Sequence, residues 1–456
     1  MNPDEQLDIL LRGALFADEV EGAEGAPPGE EVQGNAAAGA RSLSDVQGIS
    51  PTDLAAASPV AARTLREQMT FELRERLREG RPLRVYLGVD PTSTSLHIGH
   101  LVPVQKLRVF QQLGHQVIFL IGDYTGLIGD PTGQKSERKR FTHEQLRSLA
   151  QDYQRQAFRI LDPEKTEVRY NGEWLSRLSF ADLVEIAAIF PLKWVVSRRD
   201  FQDRLARGES LRLHETLYCL MQGYDAYALD CDVQIGGYDQ YLNMLAGRWI
   251  QEHFGKKPHI IWTFPLLMGT DGRKMSKSYG NSINVLDTAE DMYGKTMRIS
   301  DALIPSYIDL ATDLVPAEAD ALKDRLAAPG VNPMDVKKEV AANLVRQYFS
   351  AAEAVAAAER FRATIQDKEV PDDVPEIPIP EELRGRRIPW PDLLVALPVD
   401  GRPLVASKGE MRRLMAQGGF YVEQEQVRDA AAAYEPRAAT LIRLGKRRYA
   451  RLIQAP

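Results

Sequence analysis

The chain has 456 residues, 44% of them hydrophobic and 27% charged, with a formal net charge of −7 and only two cysteines. That length exceeds one comfortable core, so two or three domains are expected, and the composition excludes a disordered, collagenous or disulfide-stapled chain. No apolar run reaches the ~18–20 residues of a membrane span. The acidic start Met1-Asn2-Pro3-Asp4-Glu5 lacks the basic-then-apolar layout of a secretory leader. Cys219 and Cys231 have no companions at metal-ligand spacing, so reduced packing thiols in a cytoplasmic setting are expected.

From the N-terminus, Leu7, Leu10, Leu11, Leu15 and Phe16 form a short helical stripe within residues 1–20. Residues 21–60 then turn acidic and rich in Ala, Gly and Ser. Residues 1–59 hold eleven Asp/Glu against Arg12 and Arg41. With almost no large apolar side chains to offset its chain entropy, 21–60 is expected to be a mobile insertion. Helical periodicity resumes at Leu65 and runs through Leu73 and Leu77 to the Gly80-Arg81-Pro82 stop.

A buried strand, Leu83 to Leu87, leads into Gly88-Val89-Asp90-Pro91-Thr92-Ser93-Thr94-Ser95-Leu96-His97-Ile98-Gly99-His100, after which Leu101, Val104, Leu107 and Phe110 recur with helical spacing. A strand, a glycine-bearing turn and a helix aim free backbone N–H groups at an anion. Gly99, between the histidines, admits a large flat ligand close to the backbone. Up to about Gly255, strands such as Gln116 to Ile121 alternate with helical runs, the pattern of a doubly wound parallel sheet with ligands at the strand ends.

Tyr218, Gln222 and Asp225 stand at i, i+4 and i+7, a polar stripe on one helix face set among Leu217, Leu220, Met221 and Tyr224. Such a stripe reads equally as a solvated face and as a pocket wall. Val233 to Gly237 is a strand followed by Asp239, suited to a ribose hydroxyl, and Gln240, suited to a carboxylate. After apolar Ile260 to Met268 comes the polar loop Gly272-Arg273-Lys274-Met275-Ser276-Lys277-Ser278. Two lysines three apart, flanked by Gly and Ser, suit phosphates that gain charge during reaction. Alone, this loop reads first as a solvated basic turn.

Residues 289–368 are helix-rich, with Ala341, Leu344, Val345 and Tyr348 on one face, and 369–398 are proline-rich without sustained periodicity, as expected of a linker. The tail reverses the charge balance: 402–456 hold eleven Lys/Arg against five Asp/Glu, which favours a polyanionic partner. Its run from Ser407 to Gly419 has the form of a capped basic helix ending at Gly418-Gly419, followed by a strand from Phe420 to Glu423.

The His-Ile-Gly-His and Lys-Met-Ser-Lys-Ser strings, in that order, resemble the paired motifs of class I aminoacyl-tRNA synthetases. With Tyr86 two residues before Gly88 and the Tyr218, Gln222, Asp225 helix, the chain over about residues 65–456 resembles the bacterial tyrosyl-tRNA synthetases. The resemblance implies an α/β fold. Residues 61–288 would be a Rossmann-like catalytic domain and 289–368 a helical domain for the anticodon region. Residues 399–456 resemble the S-four type RNA-binding module.

It also implies residue roles. Tyr86 and Asp225 would hold a substrate phenol, while Tyr218, Gln222 and Asp130 would hold its ammonium group. Gly88, Asp90, Thr92, His97, Gly99, His100 and Asp239 would contact ATP, with Gln240 at the substrate carboxylate. Thr92, His97, His100, Lys274 and Lys277 would act on the reacting phosphates. The loop from Asp130 to Arg140 adds Lys135 and Arg138 for pyrophosphate. Gln134 departs from a basic family position there, and Leu87 and Pro103 replace small polar residues near the ribose. Pro103 fits if it falls in the first helical turn.

The implied substrates are L-tyrosine, ATP with Mg²⁺ and tRNA(Tyr), with no tightly bound cofactor and no dedicated protein metal site. The implied assembly is a cytoplasmic homodimer, for which Ile186 to Leu192 is either an interface or core. Two rivals remain: the related tryptophan enzyme or another adenylyl-transferring enzyme, and a non-catalytic RNA-binding descendant.

Overall fold

A computed structural model describes residues 1–16, 19, 64–92, 95–131, 141–363, 374–399, 402–423, 425–445 and 448–454. The acidic stretch 21–60, together with Lys135 and Arg138, lies outside the described residues. Two compact units make up the chain, residues 1–354 and 355–456.

The first unit opens with helix α1 (Pro3–Leu11), where Asn2 and Glu5 form a reciprocal capping box and Pro3 takes the first-turn position that needs no N–H. Helix α2 (Leu65–Arg78) starts on a second such box, Thr64 with Glu67. The chain then alternates through β1 (Arg84–Val89), α3 (Ile98–Gln112), β2 (Gln116–Ile121), α4 (His143–Ala157), β3 (Thr166–Tyr170), α5 (Phe180–Ala188), α6 (Tyr218–Ala228), β4 (Val233–Gly237), α7 (Tyr241–His253) and β5 (Ile260–Phe264). The five strands form one parallel sheet in the order β3-β2-β1-β4-β5, the doubly wound α/β arrangement expected from the sequence. Every residue of β5 and five of six in β2 are buried, as befits strands covered on both faces.

Numbering reverses between β1 and β4, which creates a crevice at the carboxyl ends of those two strands. The outer side of β5 is covered from the N-terminus. Leu15 N–H donates to the Thr263 carbonyl at 2.8 Å, Thr263 Oγ1 donates back to Leu15, and Trp262 Nε1 reaches the Leu10 carbonyl at 3.1 Å. Helices α8 (Ile304–Ala311) and α9 (Pro333–Tyr348) belong to the helical stretch that follows the sheet, and Ala341, Leu344 and Val345 are fully buried. Ile186 and Phe190 join an interior cluster with Trp194, Ala246 and Ile250, whereas Leu192 is 66% exposed. The Ile186 to Leu192 run is therefore divided: Ile186 and Phe190 are core, while Ala188, Pro191 and Leu192 are exposed.

The second unit holds β6 (Glu376–Ile379), α10 (Trp390–Ala396), α11 (Lys408–Ala416), β7 (Phe420–Val422), β8 (Glu425–Gln426), β9 (Leu441–Leu444) and β10 (Arg448–Gln454). Its sheet runs β8-β7-β9-β10-β6, antiparallel except for the parallel β10/β6 pair. Much of the expected 369–398 linker is thus part of a domain. Ile377 and Ile379 alternate into the core with Trp390, Leu393 and Leu394. Proline content hid this, because an edge strand tolerates Pro378 where a central strand would not. Ser407 caps α11 by accepting the Glu410 N–H at 3.1 Å, while Met411 and Met415 face inward and Arg412 and Arg413 outward.

Candidate active site

The crevice between β1 and β4 opens into a cavity of about 310 Å³. Of the residues singled out in the sequence, Tyr86, Gly88, Asp90, Thr92, Gly99, His100, Asp130, Tyr218, Gln222, Asp225, Asp239 and Gln240 line it. His97, Lys274 and Lys277 do not. His97 is buried at the start of α3, and the two lysines are exposed on their loop.

The inner end of the cavity is formed by buried side chains. Tyr86 is 0% exposed, and its hydroxyl has no hydrogen-bond partner among the described residues. Asp225, on the inward face of α6, takes Trp174 Nε1 on one oxygen at 2.8 Å and Asn171 Nδ2 on the other at 3.1 Å. Burial pushes its carboxyl up to about 8, opposed by those two donors and reinforced by the charges of Asp90 and Asp123. Burial likewise raises the Tyr86 phenol, with Cys231 and Asp225 adding to the shift. Gln222 Oε1 and Gln234 Oε1, which line the same cavity, also lack partners among the described residues. Buried polar atoms are seldom left unpaired, so three lining one cavity mark groups that a polar ligand would satisfy.

Next outward lies a carboxylate layer. Asp90, expected among the nucleotide contacts, receives the Tyr218 hydroxyl at 2.9 Å and the Thr125 hydroxyl at 2.7 Å, and Asn171 Nδ2 donates to Thr125 at 2.9 Å. Only glycine fits at 122, since a Cβ there would fall 2.0 Å from Asp90 Oδ1. Asp130 receives Gln240 Nε2 at 2.7 Å, and Asn243 in turn donates to Gln240 at 3.0 Å. Asp90, Asp130 and Tyr218 thus give the middle of the cavity the acceptor-rich character that suits an ammonium group.

At the mouth, His97 and His100 cap α3 through each other. His97 Nδ1 accepts the His100 N–H at 3.3 Å, His100 Nδ1 accepts the His97 N–H at 3.4 Å, and the rings stack with centroids 3.5 Å apart. Both δ nitrogens act as acceptors, which assigns each neutral ring its proton at Nε2. Burial, then His100, Lys277 and Lys274, lowers His97 to about 3. Desolvation by the surrounding protein, then the same two lysines, lowers His100 to about 4. At neutral pH the pair therefore offers N–H donors rather than positive charges. Pro103 lies in the second turn of α3, not the first, because the helix already begins at Ile98. Lacking an N–H, it cannot bond the Gly99 carbonyl one turn earlier.

The lysine loop is pinned from inside. Asn281 Oδ1 accepts the Ser276 N–H at 2.8 Å, and Asn281 Nδ2 reaches the Lys274 carbonyl at 3.1 Å and Asp271 at 2.7 Å. Met275 is buried, leaving Lys274 and Lys277 outside. A backbone bridge pairs Met268 with Lys274, and another pairs His97 with Asn284, so the loop's trailing end meets the start of α3.

Thr125, Asn171, Trp174 and Asn281 were not singled out in the sequence. Asn171 and Trp174 stand just past the carboxyl end of β3, and polar residues at that place after any parallel strand are the signal that could have found them.

The sequence family described as tRNA synthetases class I (W and Y) matches residues 78–366. A tyrosine–tRNA ligase of Carboxydothermus hydrogenoformans is 40% identical over 390 residues, covering 85% of this chain and 94% of that protein. One from Thermotoga maritima is 42% identical over 382 residues, covering 84% and 93%. Among solved structures, a C-terminally truncated mitochondrial tyrosyl-tRNA synthetase of Aspergillus nidulans superposes with a TM-score of 0.54 at 22% identity, covering 64% of this chain and 88% of that one. An Archaeoglobus fulgidus tyrosyl-tRNA synthetase complexed with L-tyrosine gives 0.51 at 23% identity, covering 65% and 100%. At those identities the likeness speaks to the fold alone.

Proposed function

Because this chain belongs to the class I tRNA synthetases of the tryptophan and tyrosine type and acts as a tyrosine–tRNA ligase, we propose that the crevice between β1 and β4 is where it activates tyrosine. The tyrosine carboxylate attacks the α-phosphate of ATP in line, giving tyrosyl-adenylate and pyrophosphate. The tyrosyl group then passes to the terminal adenosine of tRNA(Tyr). The nucleophile arrives with the substrate, so the protein contributes position and charge.

The observation that carries this reading is the pair at the inner end, the unpartnered Tyr86 hydroxyl and the doubly held Asp225 carboxyl in one buried cavity. A phenol both donates and accepts, and so satisfies both. Phenylalanine would leave the Tyr86 hydroxyl unpaired and give Asp225 no further partner, a mode of rejection for which tyrosyl enzymes are themselves the standing example. An indole N–H donates only, which disfavours tryptophan. Asp130, Tyr218 and Gln222 hold the ammonium group, while Gln240 guides the carboxylate. Gly88, Asp90, Thr92, Gly99 and Asp239 form the nucleotide floor, with Asp90 acting through Tyr218 and Thr125 as well.

His97 and His100 donate from Nε2 toward the phosphates, and Lys274 and Lys277 fold over the departing pyrophosphate, with Lys135 and Arg138 assisting. Mg²⁺ enters with ATP on the phosphate oxygens. The basic C-terminal unit grips tRNA through salt-sensitive phosphate contacts. The enzyme works in the cytoplasm as a homodimer, for which the exposed apolar side chains of Phe180, Val184, Leu192 and Leu213 supply adhesive surface. Among the described residues, no helix is long and apolar enough to cross a membrane.

The test is exchange of labelled pyrophosphate into ATP. Tyrosine should drive it and tryptophan should not; exchange driven by tryptophan overturns the substrate assignment.

A further inference from the structure

Helix α8 ends inside the protein, where its last carbonyls meet two cations from distant parts of the chain. Lys106, two turns beyond Gly99 on α3, is 7% exposed. Its Nζ donates to the Asp309 carbonyl at 2.7 Å and lies 5.5 Å from the Phe264 ring centre. Arg12 donates to the Ile308 and Leu314 carbonyls and, at 2.7 Å, to Thr312 Oγ1. Gly13, at φ +71°, closes over them; a Cβ there would fall 2.9 Å from Leu310 Cδ2. From the same helix, fully buried Tyr307 donates its hydroxyl to the Met268 carbonyl at 2.8 Å.

Met268 is the residue bridged to Lys274. The far end of that loop returns to α3, where Ile98 N–H bonds the Ile283 carbonyl at 2.9 Å and Val285 N–H bonds the Leu96 carbonyl at 3.0 Å. The contacts therefore close a ring: α3, Lys106, α8, Tyr307, Met268, the lysine loop, and α3 again. A helix end normally satisfies its carbonyls with water or a glycine turn. A buried ammonium is a costly substitute, and burial pushes Lys106 down to about 7, with Arg12 adding to the shift and Asp309 opposing it. Fold stability alone gives little reason to keep a charge there. A rigid tie between the two halves of the phosphate site does.

We propose that Lys106 and Tyr307 are positioning residues that set the Lys274 and Lys277 loop against His97 and His100 for adenylate formation. The proposal rests on the reading of that loop as the pyrophosphate-binding element.

The experiment compares tyrosine-dependent pyrophosphate exchange, tyrosine affinity and melting temperature in Tyr307→Phe, Lys106→Met, Lys106→Arg, the Tyr307→Phe/Lys106→Met double variant and Lys277→Ala. Tyr307→Phe and Lys106→Met should each lower turnover by about tenfold and raise the ATP KM, leaving tyrosine affinity unchanged. Lys106→Arg, which keeps charge and donor, should recover most of the rate. The double variant should lose little more than either single one, because both break the same ring. Parental turnover in Tyr307→Phe, or losses that multiply in the double variant, overturn the proposal. If Lys106→Met fails to fold, Tyr307→Phe and Lys106→Arg decide it alone. Parental exchange in Lys277→Ala would instead overturn the loop's assigned role, a failure distinguishable from the first.

Discussion

The inner and outer ends of the cavity are built on opposite plans. Asp225 and its donor Asn171 are buried, and Asn171 is itself fixed: its side-chain oxygen accepts the Tyr124 N–H at 2.9 Å while its own N–H groups go to Thr125 and Asp225. At the outer end, Lys274 and Lys277 are exposed on a loop whose backbone is held by Asn281 and the Met268 bridge while the two side chains stand free of the interior. A ligand's identity is best read where water is absent and unpaired groups are expensive. Charge that appears only in the transition state is better met by cations brought in after binding. On the proposed reading, selection and acceleration fall at different depths of one crevice.

Mutations should separate the two ends. The largest effect is expected at the loop: Lys277→Ala should slow exchange by about 10²–10³-fold with tyrosine affinity nearly constant, as seen by single-turnover adenylate formation. Asp225→Ala should act in the other sense. It should cut kcat/KM for tyrosine by about a hundredfold and collapse the preference over phenylalanine, which competition kinetics would measure. Trp174→Phe keeps the ring but removes one donor to Asp225, so the tyrosine KM should rise by about fivefold with the ATP KM unmoved. If that variant changes the ATP KM instead, the separation of depths is wrong.

Reversing charge on α11 with Arg412→Glu and Arg413→Glu should spare exchange altogether. It should raise the tRNA KM by about tenfold in charging assays at moderate salt, and less at high salt.

The smallest effect is on stability. Asp225 is raised to about 8 in the fold, whereas an unfolded aspartate ionises near pH 3.9. Between those values the native state keeps a proton that the unfolded state has lost, so stability falls as pH rises through that window. Asp225→Asn has no such proton. Without tyrosine, the melting temperature of the parent should fall relative to that variant by about a few degrees between pH 5 and pH 8. A constant difference would mean that Asp225 is ionised throughout.

Legibility in the sequence followed chain distance. The strand, turn and helix around His97 and the Tyr218, Gln222, Asp225 stripe are local patterns, readable because spacing along one element fixes a shared face. The parallel sheet was implied by the alternation of strands with helices, whereas its order β3-β2-β1-β4-β5 was not. Asn171 and Trp174 were hidden because they reach Asp225 across more than fifty residues, from the single-turn helix Gly172–Leu175 and its cap, too short to show periodicity. Lys106 was hidden for the opposite reason: a single polar residue in an apolar helix pattern reads as an exposed position unless its distant acceptor is known. The second unit's β6 and α10 were masked by prolines whose tolerance depends on lying at an edge or a first helical turn.

The covering of β5 by residues 10–15 has a bearing on solubility. A bare outermost strand made wholly of Ile, Trp, Thr and Phe would recruit a second molecule by backbone pairing. Leu15 occupies that rim and Trp262 anchors the cover, so the protein carries its own guard against sticking to itself. Loss of the first sixteen residues should show up as aggregates before it shows up as slower chemistry.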